Sequence, residues 1–202
     1  MDITIFMQQM VNGFSLGSMY ALIAIGYTMV YGVLRLINFA HGDIMMVGGF
    51  LGFFGITVLG LPFGAAVLLA IAGSAALGML SDRIAYRPLR SAPKISLLIT
   101  AIGVSFFLEN AFNVFFGGVP RAFPVPAYLE VIVDFAGLTM PVSAILVPII
   151  TAILLVMILW VLYKTKYGMA IRALAFDVGT VNLMGIDANR IITLVFGMGS
   201  AL

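Results

Sequence analysis

Five apolar runs, each near the length a helix needs to cross the hydrocarbon core of a bilayer, leave this chain little choice of fold. They extend over about 13–34, 44–59, 62–80, 95–116 and 141–163, and a sixth opens at Ile191. Only 9% of the 202 residues are charged, against 63% hydrophobic, whereas soluble domains carry roughly 25% charge. That much polar surface cannot clothe a water-soluble globule. In hydrocarbon every backbone N–H and C=O must be satisfied within the protein, which leaves helices or closed barrels. Barrel-type alternation is absent. The expected fold is therefore all-α: a single-domain polytopic helical bundle over residues 1–202, with five complete spans and the start of a sixth. The last run covers about 18 Å as a helix, short of a crossing, so the sequence is expected to stop inside that span. Its start, MDITIFMQQM, has no basic n-region, and the first run is read as a retained span rather than a signal peptide.

The scarce polar residues exclude several functions. There is no cysteine, so disulfides and thiolate metal sites are ruled out. One histidine and eight acids leave little material for hydrolytic or metal chemistry, and no catalytic or metal-ligating residue is assigned. A net charge of +2 gives no reason to expect nucleic acid. The bilayer is the partner that composition demands.

Position of the basic residues sets the expected orientation. The 81–94 loop carries Arg83, Arg87, Arg90 and Lys94, and the 164–190 interval carries Lys164, Lys166, Arg172 and Arg190. Both are expected in the cytoplasm. The 117–140 loop, with Arg121 against Glu130 and Asp134, is expected outside, as is the N-terminus. Three prolines and a β-like VIV run suggest an external cap or hairpin there.

Four stretches stand out. Gly13-Phe14-Ser15-Leu16-Gly17 matches the nucleophile elbow G-x-S-x-G, but that motif needs a strand-to-helix turn with acid and His partners. The same residues spell G-x-x-x-G, as do Gly48 and Gly52, and helix packing is the better reading of both. The run from Asn38 through Phe39 and His41 to Asp43 is either a capped turn, with Asp43 as N-cap of the second span, or a broken segment lining a pathway. Glu109 and Asn110 lie inside the fourth span, where an acid is a functional candidate by default. Asn12 and Ser18 on the first span are further candidate pathway polars, and equally candidate interhelical hydrogen bonders.

The 164–190 interval is the longest charged stretch between apolar runs. Asp177 suits an N-cap, 178–184 supplies two turns of helix about 10 Å long, and Gly185 suits a left-handed stop. Ala170, Ala173, Leu174, Val178, Val181 and Met184 recur at helical spacing. An apolar face outside the bilayer needs a cover, either a protein partner or the membrane surface.

RALAFDVGTVNLMGIDANR resembles the cytoplasmic coupling segment of permease subunits of bacterial ABC importers. GSMYALIAIGYTMVYGVLRLINFAHGDIMMVGGFLG and DRIAYRPLRSAP resemble the LivH-type permeases of branched-chain amino acid importers, and the likeness covers essentially the whole chain. The resemblance implies an inner-membrane subunit with no catalytic residues and no cofactor of its own. It would pair with a second permease subunit, two cytoplasmic ATP-binding subunits and a periplasmic binding protein that delivers leucine, isoleucine or valine. Arg172, Ala173, Asp177, Val181, Met184, Gly185 and Ile186 would then contact the ATPase. Related permeases carry urea, short amides or sugars, so substrate stays open at this point. An intramembrane enzyme using Ser15, His41 or Glu109, and a non-transporting scaffold, are the readings of other classes.

Overall fold

The computed structural model describes residues 3–135 and 138–202; positions 136 and 137 of the 117–140 loop lie outside the described residues, as do positions 1 and 2. Helices dominate. They are α1 (Ile3–Leu34), α2 (His41–Thr57), α3 (Phe63–Ser81), α4 (Lys94–Phe116), the single turn α5 (Ala127–Glu130), α6 (Val142–Lys164), α7 (Lys166–Phe176), α8 (Val178–Leu183) and α9 (Ala188–Ala201). Strands β1 (Ile132–Phe135) and β2 (Leu138–Pro141) form an antiparallel hairpin, so the fold is helical with one small β element.

Four helical stretches are long and apolar enough to cross a membrane: Ile3–Leu34, Phe63–Leu89, Lys94–Phe116 and Val142–Lys164. The chain is a multi-pass membrane protein. At 17 residues α2 rises about 25 Å, short of a full crossing, and α9 has 14 residues. The helix that carries the first apolar run, expected from about Gly13, begins earlier, at Ile3. Nothing in 3–12 breaks a helix, and Gln8 fastens the extension to the hairpin: Nε2 donates to the Thr139 carbonyl at 2.7 Å and Oε1 accepts from its N–H at 3.1 Å.

α1, α3 and α6 run in one direction and α2 and α4 return in the other, between two chemically different ends. One end holds the hairpin. The other holds nine of the ten Lys and Arg, all but Arg121. Gly60 at φ 62° separates α2 from α3, so the 44–59 and 62–80 runs are two helices. Beyond α3 the chain widens into a π-helical turn (Asp82–Tyr86) and then tightens into a 3-10 turn (Arg87–Leu89).

α3 packs on α2 and α9, and α1 packs on α6 and α9. The α1–α9 crossing is close: a Cβ added to Gly26 would lie 2.5 Å from the Gly199 carbonyl oxygen. Small residues bring backbones together where lipid gives no hydrophobic drive to associate. Gly48 and Gly52 meet Ser74 and Ala70 of α3, as packing glycines should. Gly13 and Gly17 do not: a Cβ added at either would meet no other described element within 4 Å, so the expected packing face there is not formed within this chain. The core proper gathers Val30, Tyr86, Leu174, Ile192, Val195 and Phe196 toward the basic end.

Candidate functional site

Two arrangements of polar residues emerge, one at the basic end and one along the seam between α2 and α4.

At the basic end, Thr165 caps α7, its Oγ1 accepting from Gly168 N–H at 3.1 Å. The chain then breaks at Asp177, whose carboxylate accepts from Gly179 N–H at 2.9 Å and starts α8. Gly185, at φ 80°, ends that turn in the backbone region glycine reaches without strain. Asp187 caps α9 through the N–H groups of Asn189 and Arg190, at 3.0 and 3.2 Å. Asn182 adds an acceptor for Ala188 N–H at 3.2 Å. Three side-chain caps in one interval fix its path.

The apolar face expected to need an external cover divides in two. Ala170, Leu174 and Val181 are buried inside the chain itself, and Ala173 and Ile186 pack against the same core. The face that stays open keeps Val178 and Met184 of that set, with Met184 75% exposed, and adds Phe176 and Leu183, each 89% exposed. The expectation that Val181 faces outward is therefore corrected; it anchors α8 to the bundle. Phe176 and Leu183 both flank the capped turn, yet neither is among the coupling residues that the resemblance implies. Arg172 lies over the Tyr163 ring, 5.1 Å from its centroid. Arg35, which no sequence motif marks, ends α1 in the left-handed region at φ 51° and donates to the Ala175 carbonyl at 3.2 Å, tying the first span's exit to α7.

The 35–43 connector is packed into the bundle. Asn38 is buried and its Oδ1 accepts from Tyr86 Oη at 2.7 Å. His41 is buried edge-on to Tyr27, with no partner for Nδ1 among the described residues. Phe39 is half exposed. Asp43 is not the N-cap of α2; that position falls to Ala40, which offers no side-chain oxygen. Instead Asp43 Oδ2 accepts from Ser105 Oγ of α4.

That contact opens the seam. Met46, Gly49, Phe50 and Phe53 recur at i, i+3, i+4 and i+7 along α2, and Glu109, Phe112 and Asn113 repeat the pattern on α4. The two stripes face each other, with Phe50 centroids 5.2 Å from Phe112 and 5.4 Å from Phe116. Toward the hairpin end they border an open cavity of about 490 Å³. Gly117, at φ 75° and ψ 159°, adopts backbone geometry essentially restricted to glycine and turns the chain back over this cavity. Arg121 thereby reaches the wall, donating to the Phe116 carbonyl at 2.8 Å and lying 5.9 Å from the Phe53 centroid.

Of the candidate pathway residues, the seam brings together Asp43 and Glu109 and adds Ser105, Asn113 and Arg121. The others lie elsewhere. Asn110 returns its amide to the Phe106 carbonyl of its own helix, at 2.7 Å. Asn12 accepts from Gln8, and Ser18 donates to Phe14 while its carbonyl accepts from Thr151 of α6. Both belong to the α1–α6 side.

A helical membrane protein with a capped, partly apolar projection at its basic end and a polar seam between its spans has the build of a transport-pathway subunit. Residues 9–202 match the family described as the branched-chain amino acid transport system permease component, and the chain belongs to that family. It is 38% identical to the high-affinity branched-chain amino acid transport system permease protein BraD of Pseudomonas aeruginosa, over 98% of this chain and 68% of that protein. It is 37% identical to the corresponding LivH proteins of Salmonella typhimurium and Escherichia coli, again over 98% of this chain and 68% of theirs. No solved structure matches it.

Proposed function

We propose that this chain is a permease subunit of an ATP-driven importer for leucine, isoleucine and valine, with the 164–190 interval as its docking element for a cytoplasmic ATPase. One observation carries the docking assignment. The interval is anchored inward by Leu174 and Val181 and capped at Asp177 and Gly185, yet presents Phe176, Leu183 and Met184 outward. Exposed apolar side chains on a stiff, capped element fit a protein partner that moves it as a rigid body. Among the earlier coupling candidates, Asp177, Gly185 and Met184 stay at this surface, Arg172 and Ala173 lead into it, and Val181 and Ile186 support it from within.

The remaining assignments rest on charge and family. Nine of ten cations at one end support a cytoplasmic location for 81–94 and 164–190, with the hairpin and the N-terminus outside. α2 acts as the fifth span, its shortness met by local bilayer thinning, and α9 begins a sixth. The partners are a second permease subunit, two ATP-binding subunits that hold the nucleotide, and a periplasmic binding protein. The pathway follows the α2–α4 seam past Asp43 and Glu109.

Uptake of labelled leucine by cells expressing the complete transporter, against cells lacking only this subunit, tests the reading. ATP-dependent accumulation that needs this chain is expected, and Asp177→Lys or Gly185→Pro should abolish it while leaving membrane insertion intact. Uptake unaffected by removing this subunit, or undiminished by both substitutions, overturns it.

A further inference from the structure

We propose that the cavity between the hairpin-end halves of α2 and α4 recognises a neutral zwitterionic α-amino acid with an apolar side chain. In this assignment Arg121 takes the carboxylate, Glu109 takes the ammonium group, and the phenylalanine walls hold the side chain. This deepens the importer reading and rests on it.

The cavity holds one charge of each sign. Arg121 is the only one of the ten Lys and Arg that stands at this end of the bundle, and the Gly117 turn is what carries it back over the seam. Its guanidinium spends one N–H on the Phe116 carbonyl, and no carboxylate pairs with it among the described residues. Glu109 projects from α4 into the same space and makes no hydrogen bond or ion pair among the described residues. Two opposite charges that share a cavity without joining each other leave both ends of a zwitterion to be satisfied. Arg is suited to one of those ends, since its planar fork matches a carboxylate.

The walls supply the rest. Phe50, Phe53, Phe112 and Phe123 line the cavity together with Met46. Gly49 has no neighbour within 4 Å of where a Cβ would stand, so the floor between the two stripes stays open. About 490 Å³ is within the range of small-molecule pockets, which are mostly apolar with a few placed polar groups. Urea, a short amide or a sugar has no formal charge to satisfy either residue and no branched alkyl group to fill an aromatic wall. A basic or acidic amino acid brings a third charge that these walls cannot solvate. An aliphatic α-amino acid matches every group present. Asp43 and Ser105 continue the same seam toward the basic end, giving the ligand a polar track after release.

The test uses the complete transporter in membranes. Its first arm is wild-type leucine uptake: if that fails, the importer reading falls, whatever the cavity does. With uptake established, Glu109→Gln and Arg121→Gln should each lower the transport rate about tenfold or more, as expected when a charged group of the ligand loses its partner. Arg121→Lys should recover part of the loss. Copurification with the ATP-binding subunits controls for folding. A second measurement does not depend on these variants. The chain has no cysteine, so Asn113→Cys places a single thiol in the wall. Leucine should slow its maleimide labelling severalfold, whereas 4-methylpentanoic acid and isopentylamine, each carrying one charge, should not. Wild-type uptake rates in both charge variants overturn the proposal, leaving the importer reading in place. So does equal protection by the one-charge analogues, or no protection by leucine in a transport-competent complex.

Discussion

Arg90 donates to the carboxylate of Asp82, a side chain with 0% exposure, across the π-helical and 3-10 turns that end α3. The other carboxylate oxygen accepts from Thr193 Oγ1 of α9 at 2.6 Å, and Arg90 also donates to Asn189 Oδ1. The group binds the exit of the third helix to the start of α9, immediately after the proposed docking element. Removing one member of a buried ion pair strands the other, at a cost of about 3–5 kcal/mol. Asp82→Ala should therefore lower the melting temperature of the purified complex by several degrees, measured by loss of monodispersity on heating. An unchanged melting temperature would show that Arg90 finds water or another acceptor.

Tyr86 and Asn38 make the neighbouring link, from the π-helical turn to the connector before α2. Tyr86 also stacks on Phe196, with centroids 5.2 Å apart. Tyr86→Phe keeps the stack and leaves a buried amide oxygen without its donor, which costs about 1–3 kcal/mol. Asn38→Leu in the same background should add less than it does alone. A double-mutant cycle on thermal stability measures this, and strictly additive losses would remove the hydrogen bond as the source.

The helices were legible in the sequence because apolar length decides them. Caps at Asp177 and Gly185 were legible too, since both use local backbone chemistry that their residue types announce. What was not legible depends on the third dimension. Val181 and Leu183 are two residues apart and equally apolar, and only the placement of α8 against the bundle decides that one is buried and the other exposed. Asp82 meets Arg90 eight residues later because a π turn is followed by a 3-10 turn, a register that no regular helix provides. Glu109 stood out as an acid in an apolar run, but its company did not. The stripe it shares with Phe112 and Asn113 has ordinary helical spacing; Arg121 joins it only through the reversal at Gly117.

Gly26 and Gly17 lie on the same helix and should respond oppositely to alanine. At Gly26 the added methyl meets the Gly199 backbone, which cannot rotate away, so α1 and α9 must separate. At Gly17 an added Cβ would meet nothing within 4 Å outside its own helical turn, and the change should alter the chain's own stability little. Folded yield after detergent extraction separates the two. A large loss for Gly26→Ala beside near-normal yield for Gly17→Ala is the expected pattern, and equal losses would contradict the α1–α9 contact.

Val181 and Leu183 distinguish support from contact in the docking element. Val181 is 2% exposed, so Val181→Asp buries an unsatisfied carboxylate and should reduce folded protein before any assay of coupling. Leu183 is 89% exposed, so Leu183→Ser removes apolar surface that nothing in the chain covers. Full burial of a leucine side chain is worth about 1.5–3 kcal/mol, which corresponds to roughly tenfold or more in affinity for a partner that covers it. Copurification of the ATP-binding subunit with Leu183→Ser should fall while the permease itself extracts at normal yield. Phe176→Ser should do the same, because the two side chains flank the same capped turn. If ATPase recovery is undiminished in the double variant, the outward face of α8 is not where the ATPase binds, and the cover for Phe176 and Leu183 must be sought in the bilayer surface instead.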